Sequence, residues 1–149
     1  VLPAGTLRRY RFNLRTKTHH AETVSTACIE LPRIDYNRYN TNGAYRFTYG
    51  VSVHPLHPKG FYNSIVKINS KTGDAFYWQQ KGCYPGEPFF QPSPQSKDDE
   101  DGILISIVLD AANQNSFLLL LDATTMQEIA RAVLPEPVVY GFHGEFFGV

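Results

Sequence analysis

Three apolar runs near the C-terminal end follow one another with almost nothing between them: GILISIVLD (102–110), SFLLLLDA (116–123) and MQEIARAVL (126–134), turning at AANQN and ATT. Strands joined this tightly run antiparallel, because a parallel neighbour needs a crossover of about a dozen residues or more. The third run is helical by propensity alone, but its place after two hairpin strands makes it the third strand of a meander. This end of the chain is therefore expected to be an antiparallel sheet.

The same pattern extends upstream. LRRYRFNL (7–14) alternates in part, and ETVSTACIEL (22–31) is rich in β-branched residues. YRFTYGVSV (45–53) sets Tyr45, Phe47 and Tyr49 on one face and Arg46 and Thr48 on the other. YNSIVKIN (62–69) and DAFYWQQ (74–80) flank SKTG, which reads as a hairpin with a glycine-containing turn. No segment carries a long helical pattern. Between the meanders, QPSPQSKDDEDG (91–102) is proline-rich and then acidic, and reads as an exposed loop with a solvated DDED tip. The predicted fold is all-β, made of antiparallel meanders of four or fewer strands. Such sheets stack face to face as a sandwich or radially as a propeller, and spacing alone does not choose between the two.

At 149 residues the chain is one ordinary domain or a piece of a larger one. Its 14 basic and 14 acidic residues cancel, so nothing in the charge points to a nucleic-acid partner. No apolar run approaches the length of a membrane-spanning helix. Cys28 and Cys83, a sparse pair, are expected as two reduced core thiols of a cytosolic protein. The lack of an Asn-x-Ser/Thr acceptor points the same way. There is neither an initiator Met nor a signal peptide, and VLPAGTLRRY runs straight into a strand-like pattern. The N-terminus therefore reads as a point inside a longer protein.

Of the five histidines, His19 and His20 lie in the polar turn TKTHHAE and read as surface residues. His54 and His57, in VHPLHPKG, have the spacing of a metal pair. Each precedes a proline, which favours extended backbone, and side chains three apart on extended backbone point to opposite faces. His143 differs, because VVYGFHGEFFGV surrounds it with apolar residues and glycine. It is either a core histidine satisfied by a backbone carbonyl or a metal ligand presented from a short buried segment. The second reading requires an acceptor for the other ring N–H. Two glutamates stand in apolar contexts outside any charge cluster: Glu30 in ELPRIDYNRYN and Glu87 in YPGEPFF. Carboxylates are rarely buried without a partner. Each is therefore either a strand-end residue that reaches water or the acceptor a ligating histidine needs. Glu145 is expected to point away from His143 on an extended segment.

Five ordered blocks, ELPRIDYNRYN…YRFTYG, GEPFFQP, DDEDGILISIVLD, LLLLDATTMQEIARAVLP and YGFHGEF, resemble the C-terminal part of a carotenoid cleavage oxygenase. That family also includes the retinal pigment epithelium isomerase. The likeness runs from about Leu7 to Phe146. It implies a seven-bladed β-propeller, with residues 1–149 forming C-terminal blades of a single domain whose N-terminal part is absent. It also implies an iron(II) ion, Fe2+, held by four histidines, three of which donate hydrogen bonds to glutamates. His143 matches the last of these ligands in FHG, and Glu87 and Glu30 match two of the glutamates. By the same resemblance Glu87 orients His143, and Glu30 orients a histidine outside this chain.

The activity implied is cleavage of a conjugated double bond of a carotenoid or apocarotenoid by molecular oxygen, giving carbonyl products. A stilbene or another conjugated alkene is the sister substrate. One imidazole cannot hold iron(II) in a defined site, so the isolated 149 residues are expected to be inactive. A cytoplasmic protein with peripheral membrane contact fits a lipophilic substrate, and the sheet edges of a propeller segment invite self-association. The alternatives are a β-rich binding module for a hydrophobic ligand without catalysis, or a purely structural propeller segment. Three further histidines at upstream strand ends would separate the enzyme from both.

Overall fold

The computed structural model describes residues 5–39, 44–58, 60–96, 98–141, 143–145 and 147. An antiparallel hairpin joins β1 (Thr6–Asn13) to β2 (Thr18–Cys28). A four-stranded sheet follows in the order β3 (Glu30–Arg33), β4 (Phe47–Ser52), β5 (Ser64–Asn69) and β6 (Ala75–Gln79). In the second sheet, β9 (Gly102–Asp110) pairs on one side with β10 (Asn115–Asp122), which pairs in turn with β11 (Glu128–Val133). On its other side β9 pairs with two short strands laid end to end, β7 (Cys83–Pro85) and β8 (Phe89–Pro92). Every pairing is antiparallel. The only helix among the described residues is the single turn α1 (Tyr36–Tyr39). The expected meander over 102–134 and the hairpin over 62–80 are both present.

The main core fills the space between the two sheets. Phe47, Tyr49, Ile65 and Trp78 meet Phe90, Leu104, Val108, Phe117 and Leu119, and the Tyr49 and Phe90 rings stack at 5.2 Å. Each such side chain contributes about 1.5–3 kcal/mol by leaving water. A second cluster, Ile29, Val66 and Ile68 with Leu7 and Ala27, seats the N-terminal hairpin on the opposite face. Both faces of β4 and β5 are therefore covered, and every residue of both strands is buried. The alternation in YRFTYGVSV marks two interior faces rather than an inside and an outside.

The acidic loop departs from expectation. Asp98 and Asp101 are exposed as expected, but Asp99 and Glu100 are pinned. Lys67 of β5 is buried, and its ammonium donates to the carbonyls of Ala123 at 2.8 Å and Thr124 at 3.0 Å and pairs with Glu100. Asp99 accepts from the Tyr39 hydroxyl and the Arg46 N–H. A buried cation needs a partner, and the loop supplies one from across the sheet interface.

Candidate functional site

Two proline-containing bulges build the site. From Pro85 to Phe89 the chain advances one residue more than β9 does between Val108 and Ile105, so Gly86, Glu87 and Pro88 bow out of the ladder. Pro88 has no N–H to give to a ladder. Gly86 keeps the bulge tethered: its N–H donates to the Ile107 carbonyl at 2.8 Å, and its carbonyl accepts from the Ser106 hydroxyl at 2.9 Å. In β3 the same thing happens between Glu30, opposite Val51, and Arg33, opposite Tyr49. There the extra residue falls at Leu31, with φ 49°, and Pro32. Both bulges lie on edge strands, where a missing ladder donor is tolerated.

The C-terminal segment lies along the β7–β8 edge. The Val138 N–H donates to the Ser116 hydroxyl at 3.0 Å. The Tyr140 hydroxyl donates to the Pro85 carbonyl at 2.9 Å, and its ring meets Phe61 edge-on at 4.4 Å. Burial pushes the Tyr140 hydroxyl well above the usual phenol range, so it remains a donor. These anchors deliver residues 143–145 to the Glu87 bulge.

There the Glu87 carboxylate faces three groups. Its Oε2 accepts the Gly144 N–H at 3.0 Å. Its Oε1 lies 3.3 Å from the His143 Nδ1 and 3.2 Å from the Arg33 Nε. The Arg33 N–H is not aimed squarely at that oxygen, so this contact is an ion pair rather than a hydrogen bond. Arg33 Nη2 also donates to the Gly144 carbonyl and to Glu145 Oε2, the latter at 3.0 Å. The Glu87 side chain is only 6% exposed, Arg33 16%, and the His143 ring 66%. A carboxylate this deep is offset by the guanidinium and the backbone donor. A neutral imidazole that donates from Nδ1 to a carboxylate carries its lone pair on Nε2, the nitrogen able to bind a metal.

Beside this cluster a cleft of about 270 Å³ opens between the segment and the sheet, with Tyr84, Phe89, Ile105, Ile107, Leu118 and Val139 among its walls. Its lining is mostly apolar, with Glu87, Ser106, His143 and Glu145 as polar members.

The structure brings Glu87 and His143 together but leaves Glu30 apart. The Glu30 side chain has no hydrogen bond or ion pair among the described residues. Its carboxylate lies against Gly5, where an added Cβ would sit 2.4 Å from Oε1. His143, expected in a buried segment, has a ring that is 66% exposed. Two participants were missed. Arg33 gave no signal beyond being a basic residue in a short apolar strand. Glu145, expected to point away, ion-pairs with Arg33. The reading of His54 and His57 also needs correction. A turn closed by the His57 N–H on the His54 carbonyl, at 2.8 Å, brings their rings to 6.0 Å on one side. Among the described residues no three His, Cys, Asp or Glu side chains are grouped to hold a metal. His19 and His20 lie at the exposed start of β2 rather than in a turn, and Cys28 and Cys83 are free thiols.

The model of the retinal pigment epithelial membrane protein family matches residues 2–148. The mitochondrial carotenoid-cleaving dioxygenase of Mustela putorius furo is 36% identical over 132 residues, covering 88% of this chain and 24% of that protein. Torulene dioxygenase of Fusarium fujikuroi is 37% identical over 154 residues, covering 95% and 26%. The chain thus spans about a quarter of the length of these relatives. Among solved structures, cobalt-substituted apocarotenoid oxygenase of Synechocystis superposes with a TM-score of 0.90 at 24% identity, covering 99% of this chain and 31% of that one. The two sheets are therefore blades of the seven-bladed β-propeller of the carotenoid oxygenases. With that fold, and with the family matched over nearly its whole length, the chain belongs to the retinal pigment epithelial membrane protein family, the carotenoid cleavage oxygenases.

Proposed function

We propose that residues 1–149 form the C-terminal portion of an iron(II)-dependent dioxygenase that cleaves a conjugated double bond of a carotenoid or apocarotenoid into two carbonyl products. The observation that carries this reading is the largely exposed imidazole of His143 held with Nδ1 3.3 Å from the buried Glu87 carboxylate, which makes Nε2 the nitrogen suited to a metal. One such nitrogen suits a single position in a coordination sphere. Among the described residues no three His, Cys, Asp or Glu side chains are grouped to hold a metal, and the family likeness puts the remaining histidines in the rest of a longer protein. Glu30, also on a bulge of an edge strand, serves one of those histidines in the same way.

Bound iron(II) would supply the dioxygen chemistry at the alkene. This chain's own residues do the rest. Glu87 fixes the His143 tautomer and ring plane. The apolar walls beside it exclude water and suit a polyene. A lipophilic substrate favours peripheral membrane contact for a cytoplasmic protein. No helix among the described residues is long and apolar enough to cross a membrane. The exposed edge strand β11 would close against another blade, and when cut free it would pair with a second copy. A shorter conjugated alkene such as a stilbene is a second substrate class. The apolar cleft also supports a second reading, in which the protein binds a hydrophobic ligand without cleaving it.

The test uses the full-length protein. Metal is measured by elemental analysis, and cleavage by loss of polyene absorbance with chromatography of the products. About one iron per chain, oxygen-dependent aldehyde formation, and loss of both in His143→Ala are expected. Tight binding of polyene without metal or product would favour the binding module.

A further inference from the structure

We propose that Arg33 is a positioning residue for the His143 ligand, acting as a clamp that holds the peptide after His143 against the Glu87 carboxylate; this rests on the reading of His143 as an iron ligand. The Gly144 peptide is gripped on both sides. Its N–H is held by Glu87 and its carbonyl by Arg33. The same guanidinium faces the Glu87 oxygen that meets the His143 ring, and it also holds Glu145, two residues on. One side chain thus touches the acceptor of the ring and the backbone that carries the ring. It reaches across from the other sheet, with its guanidinium carbon 5.8 Å from the Tyr36 ring and 6.0 Å from the Phe89 ring. The bulge at Leu31 and Pro32 sets the register of Arg33 on its strand.

The geometry requires arginine rather than simple positive charge. The planar fork lets Nη2 donate to a carbonyl and to one carboxylate while the Nε edge sets its charge against a second carboxylate. A lysine ammonium is a compact charge that cannot span these positions. Without the fork the residues flanking His143 are free to swing, and the ring no longer sits over Glu87.

The test measures cobalt(II) and iron(II) affinity of the full-length protein by chelator competition, together with the unfolding midpoint of the metal-free protein. Arg33→Gln and Arg33→Lys are both expected to weaken metal binding about 10–100-fold, the range for groups that orient a ligand, with the metal-free midpoint nearly unchanged. Glu145→Gln should weaken it by a few-fold. Wild-type affinity in Arg33→Lys would overturn the clamp. So would an affinity loss in Arg33→Gln that merely follows a falling midpoint. If Arg33→Gln does not fold, Arg33→Lys and Glu145→Gln decide the matter. Unchanged affinity in His143→Ala would instead refute the iron-ligand reading itself, a result distinct from failure of the clamp alone.

Discussion

Glu87→Gln keeps the shape of the side chain and removes its charge, so it isolates what the carboxylate does. In the native site two polar contacts and one cationic group converge on two oxygens. The Gly144 N–H meets Oε2 at 3.0 Å, while His143 Nδ1 and Arg33 Nε approach Oε1 at 3.3 and 3.2 Å. A glutamine has one oxygen to offer, and its NH2 must then confront either the peptide donor or the imidazole and guanidinium. In a side chain 6% exposed, water does not readily fill in. A buried donor left without an acceptor costs about 1–3 kcal/mol. Tenfold in an equilibrium constant is about 1.4 kcal/mol. If that cost falls on the orientation of His143, metal affinity drops about 5- to 150-fold, overlapping the 10–100-fold typical of groups that hydrogen-bond a ligand. The assay is anaerobic chelator competition on the full-length protein, with far-ultraviolet circular dichroism to verify that the sheets are retained. A folded Glu87→Gln protein that binds metal within about twofold of wild type would refute this reasoning.

Three other outcomes follow from the same contacts. Cys83 is 1% exposed, and burial pushes its thiol up to about 11, so alkylating reagents at neutral pH should leave it unmodified until the chain unfolds; rapid labelling in the folded chain would contradict the packing of β7. Asp110 is held below its usual pKa, first by the Asn113 side chain at 2.7 Å and then by the Asn113 and Ala112 N–H groups. A depressed carboxylate stabilises the fold above its unfolded value and loses that contribution as pH falls through the folded one, so Asp110→Asn should flatten the loss of stability below about pH 4, read as urea midpoints; parallel curves would contradict it. Lys67→Met removes the buried cation that ties β5 to the acidic loop and should cost about 3 kcal/mol in unfolding free energy, with a neutral result contradicting the described network.

The fold was legible wherever its cause is local. GILISIVLD, SFLLLLDA and MQEIARAVL became β9, β10 and β11 because short turns leave antiparallel pairing as the only option. SKTG became a hairpin turn in which Asn69 Oδ1 accepts the Lys71 and Thr72 N–H groups and Gly73 adopts φ 81°. What remained hidden depends on residues far apart in the chain. Arg33 and Glu87 lie on edge strands of different sheets, and nothing in ELPR or GEPFF reports that the two bulges face each other. The solvated reading of DDED failed at Glu100 for the same reason, since its partner Lys67 lies on β5, 33 residues upstream. His54 and His57 were judged by the preference for extended backbone before proline. The turn closed by the 2.8 Å hydrogen bond between them bends the chain at Pro55 and Leu56, so the segment is not extended throughout even though each histidine precedes a proline. His143 was judged buried from the apolar residues around it, but the side chain facing its Nδ1 is a glutamate and its ring is 66% exposed.

The central claim is that His143 presents one nitrogen to a metal while Glu87 holds the other. Anomalous diffraction from crystals of the metal-loaded full-length protein tests it most directly. The account predicts a metal peak about 2.1 Å from the His143 Nε2, an ordinary metal–imidazole bond, with Nδ1 still on the Glu87 carboxylate. A metal site that leaves His143 uncoordinated, or a ring turned away from Glu87 when metal is bound, would contradict it.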